Sequence, residues 1–401
     1  MRRTETKIPF FLIWRFITRS NKWTLGLTIF LMAVAFINLV FITSLFNGII
    51  EGTNDQIIRT YTGNIMVTPK EGDDVIADAG DVRDAILATD GVVAASTETI
   101  VPASLKYRNI KGTWQILAVD PDVEATVTNI SQKMIEGSYL DADDTDGIII
   151  GRQIAGGPDV ESNAFSFKGA HAGDTVTLAF DGISKDFTIR GVFNVKFTNT
   201  DLRAFITTRA LNELMPAADG TATNIIIKTD HKGEEQQIID TIQQAGIAGT
   251  FITWEDASGV MKSVTKSFLS INVLMTFVGV LIAAVTIFIV IYIDIMNRKR
   301  QIGILRAIGV KGWIIRTTYV LQTSVYSFFG VCLGTALFFG ALVPYFNAHP
   351  FSLPVCDAVL VIDPADFIIR AEVVMIVAIL SGLVPAIFVT RMKILHAILG
   401  K

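Results

Sequence analysis

The sequence has few of the residues that build disulfides, metal sites or catalytic centres. It contains two cysteines, Cys332 and Cys356, and four histidines among 401 residues. Two cysteines near the C-terminal end give no disulfide framework to the rest of the chain. The histidines are scattered, and neither an H-E-x-x-H motif nor a Cys/His cluster occurs, so metal catalysis has no support.

Signatures of nucleotide binding and hydrolysis are absent as well. No G-x-x-x-x-G-K-[ST] segment occurs, so the chain has no P-loop with which to bind ATP. No G-x-S-x-G segment occurs either, so the sequence lacks the nucleophile-elbow motif found in many hydrolases. We therefore predict no enzymatic activity and no cofactor in this chain, and no nucleic acid among its partners.

Charged residues are missing from four long apolar stretches. These stretches are Trp23–Phe46, Phe268–Ile293, Tyr319–Val343 and Val373–Val389. As helices, the first three would extend about 36–39 Å and the last about 25 Å, against a hydrocarbon core of about 30 Å. We therefore predict an α-helical membrane protein with four transmembrane helices, one before and three after a large insert.

The four stretches divide the chain into spans and connecting segments. The predicted spans are residues 23–48, 268–293, 317–346 and 371–390. The connecting segments are an N-terminal region with an interfacial helix (1–22), a large domain (49–267), a basic helix or loop (294–316), a short outer loop (347–370) and a C-terminal tail (391–401).

The charges of the connecting segments predict which side of the membrane each one faces. Residues 49–267 have 18 Lys and Arg against 32 Asp and Glu, whereas the rest of the chain has 16 against 6. The basic residues concentrate in the two terminal segments and in 294–316, which the positive-inside rule assigns to the cytoplasm. The acidic domain is then extracytoplasmic. The first apolar stretch is too long for a cleaved signal peptide and lacks an A-x-A-type site, which favours an uncleaved anchor in the cell membrane.

Alternating strand and helix signals predict an α+β extracytoplasmic domain. Its outer parts contain predicted strands and helices in alternation, which favours two packed α/β units. These are strands 63–69, 92–96, 224–228 and 251–254, and helices 81–88, 208–215 and 234–245. Between them, at about 99–206, short strand signals dominate and predict a mostly antiparallel β subdomain. The acidic run Asp141–Asp146 lacks the Gly and Glu of a calcium loop, so a solvated turn is the better interpretation.

The basic segment Asn297–Lys311 carries the most specific pattern. As a helix it would place apolar residues on one stripe and basic residues beside that stripe. The apolar residues are Ile302, Leu305 and Ile308, and the basic residues are Arg298, Lys299 and Arg306. Such a helix suits docking into a groove on a cytosolic partner. The alternative is a basic loop whose apolar residues face lipid.

This segment resembles the signature of the FtsX/MacB-like permeases of ABC transporters, approximately R-x-R-E-I-G-[IL]-L-R-A-[IL]-G-A. The resemblance predicts that the segment couples to an ATPase. The segment aligns with this signature at Arg298, Arg300, Ile302, Gly303, Ile304, Leu305, Arg306, Ala307, Ile308 and Gly309. The predicted coupling residues are Arg298, Arg300, Gln301, Ile302, Gly303, Leu305, Arg306, Ala307 and Gly309. Gln301 stands where Glu is usual, so a charge pair made by that carboxylate is missing here.

Further short motifs extend the resemblance over nearly the whole chain. Gly137–Leu140, Ile148–Gly151, Gly173–Val176 and Ile189–Phe193 are similar to segments of the periplasmic core domain of MacB and LolC/LolE proteins. Gly330-x-x-x-Gly334 in the third apolar stretch predicts close helix packing, either inside one subunit or between two.

The resemblance implies a type VII ABC system. The permease would be a dimer of identical or paralogous chains, each recruiting a cytosolic ATP-binding subunit that holds ATP and Mg. The outer domain would consist of a porter-like part (50–98 and 207–262) and an inserted, β-rich sabre-like part (99–206). ATP-driven movement of this domain, termed mechanotransmission, would export or extract a lipoprotein, lipid, peptide or drug. Membrane lipid and an extracytoplasmic substrate or adaptor protein would be further partners.

Two other functions are consistent with this layout. One is an FtsX-like signal transducer that activates an extracellular wall enzyme and moves no substrate. The other is a receptor-like or scaffold membrane protein with a β-rich binding domain.

Overall fold

The chain divides into two compact units in the computed structural model, which describes residues 18, 22–157, 160, 165–247, 249–353 and 356–391. The helical unit contains the described residues before Gly52, those of Lys266–Phe351 and those from Ala358 onward. The β-rich unit comprises Gly52–Thr265 and Ser352–Asp357. The predicted interfacial helix and the C-terminal tail after Arg391 lie outside the described residues.

The described residues form thirteen α-helices, numbered in chain order. They are α1 (Lys22–Ile57), α2 (Ala79–Leu87), α3 (Pro121–Val127), α4 (Arg152–Ala155), α5 (Thr198–Asp201), α6 (Thr208–Leu214), α7 (Glu235–Gln244), α8 (Trp254–Ala257), α9 (Val260–Asn297), α10 (Lys299–Ala307), α11 (Gly312–Leu337), α12 (Val343–Ala348) and α13 (Pro364–Arg391). Two π-helical turns extend α1 and α11 (Ile58–Thr62 and Phe338–Leu342), and short 3₁₀ turns occur at Ile130–Lys133 and Pro216–Ala218.

Twelve strands complete the described part of the chain. They are β1 (Ile65–Thr68), β2 (Val92–Tyr107), β3 (Ile110–Val119), β4 (Met134–Gly137), β5 (Gly147–Gly151), β6 (Thr175–Phe180), β7 (Ile183–Phe193), β8 (Arg203–Thr207), β9 (Asn224–Thr229), β10 (Thr250–Thr253), β11 (Phe351–Ser352) and β12 (Asp357–Ala358).

Within the described residues, four helical stretches are long and apolar enough to cross a membrane. They are Lys22–Thr62, Lys266–Asn297, Gly312–Ala348 and Pro364–Arg391, and each contains one of the apolar stretches of the sequence. The predicted spans are shorter than the helices that contain them. The first helix continues beyond residue 48, and the later three begin at Val260, Gly312 and Pro364 rather than at residues 268, 317 and 371. The reason is that hydropathy marks where the apolar surface ends, whereas backbone hydrogen bonds continue the helix into polar sequence.

Helices α1 and α11 pack closely at the Gly330-x-x-x-Gly334 pair. A Cβ atom on Gly330 would lie 2.7 Å from Met32 Cβ, and one on Gly334 would lie 3.1 Å from Ala33 O. The first distance is shorter than real Cβ contacts and the second is tighter than most of them, so the two glycines allow the helices to approach. Of the two alternatives for this motif, the structure therefore supports packing inside one subunit.

Strand β2 joins two parts of the β-rich unit. Its first half, Val92–Glu98, pairs with β9, and its second half, Thr99–Tyr107, pairs with β3. The predicted end of the first strand at residue 96 was wrong, because the turn-forming residues that would end it are absent between Ser96 and Ile100. The predicted helices and strands of the outer parts otherwise begin and end within two residues of the observed ones.

Six strands close into a barrel. The order is β2–β3–β8–β5–β7–β6, and β6 pairs back onto β2. Four of the six pairings are antiparallel, as the prediction of a mostly antiparallel subdomain required, whereas β3–β8 and β5–β7 are parallel. Alternate residues fill the interior, which is the expected pattern for a small barrel. Examples are Val101, Ala103 and Leu105 on β2, Ile148 and Ile150 on β5, and Phe187 and Ile189 on β7.

The rest of the unit is a sheet covered by helices. Strand β1 lies between β9 and β10, and both pairings are antiparallel. Ile65 and Val67 on β1 share a buried cluster with Ile86 of α2 and with Ile238 and Ile242 of α7.

The acidic run between β4 and β5 is a turn whose carboxylates pair with arginines. Asp144 and Asp146 bind Arg190, and Asp143 binds Arg209.

Candidate coupling site

Helix α10 is a short, separate helix between two of the long apolar helices. Arg298 precedes its first turn, and the Ile302 N–H donates to the Arg298 carbonyl at 3.1 Å. Its bounds, Lys299–Ala307, lie within the predicted segment Arg298–Gly309. The sequence therefore located this helix correctly.

Gly309 ends α10 in a Schellman motif. The Val310 N–H donates to the Leu305 carbonyl at 3.0 Å, and the Gly309 N–H donates to the Arg306 carbonyl at 3.1 Å. Gly309 has a φ of +93°, a conformation that residues with a Cβ rarely adopt. Leu305 and Val310, the positions between which this motif often has an apolar contact, both pack against the core of the helical unit. The backbone conformation that ends α10 thus accounts for a glycine at position 309.

The three apolar residues predicted to form one stripe on α10 do not share one environment: two pack into the protein and one is exposed. Ile302 is only 1% exposed and belongs to the core of the helical unit together with Ile315 and Val389, and Leu305 packs against the same core. Ile308, by contrast, is 72% exposed. The prediction of one docking stripe formed by Ile302, Leu305 and Ile308 was therefore wrong. Periodicity identifies an apolar face, but it does not say whether the protein's own helices cover it.

The exposed face of α10 combines apolar and polar residues. Ile304 is 47% exposed, close to one helical turn from Ile308. The other exposed residues of the predicted site are Arg300, Gln301, Ala307 and Gly309, while Gly303 is buried and Arg298 and Arg306 are half-buried. This face therefore offers two large apolar side chains beside basic groups. Gly330 and Gly334 do not belong to it, because they lie on α11 against α1.

A buried polar network holds the residue that precedes α10. Arg298 Nε donates to Asp294 Oδ1 at 3.2 Å, and Gln322 Nε2 donates to Asp294 Oδ2 at 3.1 Å. Gln322 Nε2 also lies 2.7 Å from the Tyr326 hydroxyl. Asp294, Gln322 and Tyr326 are all buried, so this ion pair is shielded from water and fixes α9, α11 and the start of α10 to one another.

Sequence reasoning missed the role of this network. Asp294 directly follows one apolar stretch and Gln322 lies within another, and hydropathy gives neither residue a partner. The signal that could have found them is the presence of polar side chains at i and i+4 inside membrane-spanning sequence, as for Asp294 and Arg298, and for Gln322 and Tyr326.

A second buried charge cluster lies in the β-rich unit. Glu98, Glu124 and Arg203 are all less than 5% exposed, and the Arg203 guanidinium lies 3.8 Å from the centre of the Tyr61 ring. Burial, together with the neighbouring Glu124, raises the pKa of Glu98 to about 8. Burial also raises the pKa of Glu124, to about 7. At neutral pH the cluster therefore retains a proton on the carboxyl pair beside the single cation.

Two family models match this chain. Residues 25–245 match the MacB-like periplasmic core domain, and residues 273–394 match the C-terminal region of FtsX-like permeases. The first match alone spans more than half of the 401 residues. The chain therefore belongs to the FtsX/MacB family of ABC transporter permeases, which confirms the resemblance seen in the sequence. It is a membrane protein, and its β-rich unit contains most of the region that matches the periplasmic core domain.

Individual relatives are more distant. The ABC transporter permease YtrF of Bacillus subtilis (strain 168) is 26% identical over 188 residues, which are 44% of this chain and 42% of that protein. The extracellular domain of the ABC-type transporter YknZ from Gram-positive bacteria is 10% identical, with a TM-score of 0.34, and the match covers 47% of this chain and 97% of that domain. The periplasmic region of MacB from Actinobacillus actinomycetemcomitans is 12% identical, with a TM-score of 0.36, and the match covers 51% of this chain and 95% of that region. TM-scores this low add nothing to the family assignment.

Proposed function

We propose that this chain is the permease subunit of an ABC transporter of the MacB/Lol type, driven by a separate cytosolic ATP-binding subunit. The observation that carries the proposal is the exposed face of α10. Ile304 and Ile308 are exposed on a helix whose other side is packed into the protein core. Exposed apolar anchors beside basic groups on a rigidly held helix are suited to docking into a groove of a partner.

The proposed topology follows from the charges. Lys and Arg flank α10 in the sequence and concentrate in both terminal segments, so these parts are cytoplasmic and the acidic β-rich unit is extracytoplasmic. One membrane-spanning helix then precedes the β-rich unit and three follow it. ATP and Mg are bound by the partner subunit, and two permease chains, identical or paralogous, form the membrane part of the complex.

The proposed mechanism is mechanotransmission. Helices α1 and α9 each continue without a break past the residues at which the two units divide, near Glu51 and near Lys266. Because neither helix is interrupted there, a displacement at its cytoplasmic end can pass to its outer end through the helix's own backbone hydrogen bonds, with no flexible linker between them. The network around Asp294 fixes the start of α10 to α9 and α11, which would convert movement of the ATP-binding subunit into movement of these helices.

The proposed substrates are amphiphilic or apolar molecules taken from the membrane or the extracytoplasmic side. Lipoproteins, lipids, peptides and drugs belong to this class, and membrane lipid and an extracytoplasmic adaptor protein are the expected additional partners. Movement of the outer domain, rather than passage through a pore between the helices, would drive their export or extraction.

The test is reconstitution with an ATP-binding subunit encoded next to the gene. We expect the two chains to purify together and the permease to raise the ATP turnover of the subunit several-fold. The purified ATP-binding subunit alone is the control. Neither association nor stimulation with any adjacent ATP-binding subunit would contradict the proposal.

A further inference from the structure

The segment Ser352–Asp357, called here the outer segment, connects two of the long apolar helices but belongs to the β-rich unit. The chain leaves the helical unit after Phe351 and returns to it at Ala358. Ser352, Leu353, Cys356 and Asp357 are described in this segment. The connection between α12 and α13 is therefore held by the β-rich unit.

Lys196 makes the polar contacts to the outer segment. Its Nζ donates to Asp357 Oδ1 at 2.6 Å and to Ser352 Oγ at 2.7 Å, and Ser352 Oγ donates to the same carboxylate oxygen at 2.9 Å. Burial raises the pKa of Asp357, but the hydrogen bonds from Lys196 and Ser352 outweigh this effect and lower it overall. The contact is thus a charged one at neutral pH, in which two hydrogen bonds end on the Asp357 carboxylate and a third joins the two donors.

The loop that carries Lys196 is held in an uncommon conformation. Lys196 has a φ of +59°, a value that is unfavourable for a residue with a Cβ. Its N–H donates to Asn194 Oδ1 at 3.0 Å, and the Val195 N–H donates to the buried Asp201 carboxylate at 2.9 Å. Backbone strain of this kind persists only where the surroundings fix it, and it is often found at functional contacts.

Cys356 holds the outer segment from a second side. It is 1% exposed, and Thr53 Oγ1 lies 3.7 Å from its sulfur. A Cβ on Gly52 would lie 3.2 Å from the same sulfur, so the absence of a side chain at Gly52 allows this close approach. The outer segment therefore contacts the end of α1 as well as the Lys196 loop.

We propose that Lys196 is a positioning residue that fastens the outer segment to the β-rich unit, so that movement of the third and fourth apolar helices is passed to this unit through Asp357. This inference rests on the proposed function for the movement itself. The contact has a defined role in this movement, because it bonds the chain between α12 and α13 to the loop of the β-rich unit that carries Lys196.

The contact is tested by thiol labelling of the full-length protein. In a Cys332→Ser background, Cys356 is the remaining cysteine of the chain. We expect slow labelling of Cys356 by a membrane-impermeant maleimide in the parent, and labelling about fivefold faster or more in Lys196→Ala and Asp357→Asn. Lys185→Ala, which removes a comparable bond to Glu213, is the matched control and keeps the parent rate. The exchanged pair Lys196→Asp with Asp357→Lys is expected to restore protection. Equal labelling of the parent and Lys196→Ala would overturn the proposal, and so would fast labelling of the parent.

The transmission step is tested in the complex with the ATP-binding subunit. A fluorophore at Asp181→Cys, on the exposed β6–β7 turn, reports movement of the β-rich unit in a chain without other cysteines. We expect Lys196→Ala to stimulate ATP turnover like its parent but to lose at least half of the ATP-dependent fluorescence change. An undiminished change would overturn the proposal. Absence of stimulation in the parent would contradict the proposed function instead, and the labelling rates would still decide whether the contact exists.

Discussion

Replacing Ile308 by Asp is expected to abolish most of the stimulation of ATP turnover by this permease. Ile308 is the most exposed large apolar residue of the α10 segment, so the new carboxylate meets no core in the free protein. In a complex it would have to be buried without a partner, which is strongly unfavourable. Apolar anchors of interfaces are worth about 2 kcal/mol or more, so the permease concentration for half-maximal stimulation should rise about 30-fold or more.

The control variants separate docking from folding. Ile304→Asp lies on the same exposed face and is expected to act in the same direction, whereas Ile183→Asp places the same charge on the β-rich unit and leaves stimulation unchanged. Ile302→Asp would bury a charge in the helical core and reduce the yield of folded protein. Parent-like stimulation by a double Ile304→Asp, Ile308→Asp variant would show that α10 does not dock through this face.

The buried pair Glu98 and Glu124 predicts a loss of stability at alkaline pH. Burial raises their pKa to about 8 and about 7, from 4.5 in the unfolded chain. At pH values between 4.5 and the raised pKa values, the two glutamates are ionised in the unfolded chain but still bind protons in the folded protein. The free energy of unfolding therefore falls as pH rises through this range. Each pKa unit corresponds to about 1.4 kcal/mol per group, which makes a change of several kcal/mol available between about pH 5 and pH 8.

Glu98→Gln tests this dependence directly. The amide has the same shape but no charge, so the variant should be more stable than the parent at pH 8.5 and should lose less stability between pH 5.5 and pH 8.5. For a unit of this size we expect a gain of about 4 °C or more in apparent melting temperature at pH 8.5. Glu71→Gln, at an exposed position, is the matched control. A parent whose melting temperature does not fall over this range would contradict the assignment of raised pKa values.

Much of the local structure was predictable, because it depends on nearby residues. The apolar stretches gave the four long helices, and Gly309 together with the basic residues before Ile302 located α10. Strand pairing was not predictable in the same way. Alternation of apolar residues shows that Val101, Ala103 and Leu105 share one face, but it does not show that β3 pairs in parallel with β8 or that β6 returns to β2 to close a barrel.

The candidate site shows the same limit. The composition of α10 predicted a docking helix, yet which of its apolar residues are free depends on α11 and α13, which cover Ile302. Charged residues are mostly exposed in folded proteins, so composition does not predict that Glu98, Glu124 and Asp294 are buried. Polar groups become buried only where the fold supplies partners, and those partners come from distant parts of the sequence.

The central claim is that α10 and the β-rich unit lie on opposite sides of the membrane. It is tested most directly by labelling two single-cysteine variants, Ile308→Cys and Lys106→Cys, in a chain with Cys332→Ser and Cys356→Ser. In sealed right-side-out membrane vesicles, a membrane-impermeant maleimide should label the variant at position 106 at once. It should label the variant at position 308 only after permeabilisation. Labelling of the variant at position 308 in vesicles that remain sealed would place α10 on the same side as the acidic domain and contradict the account.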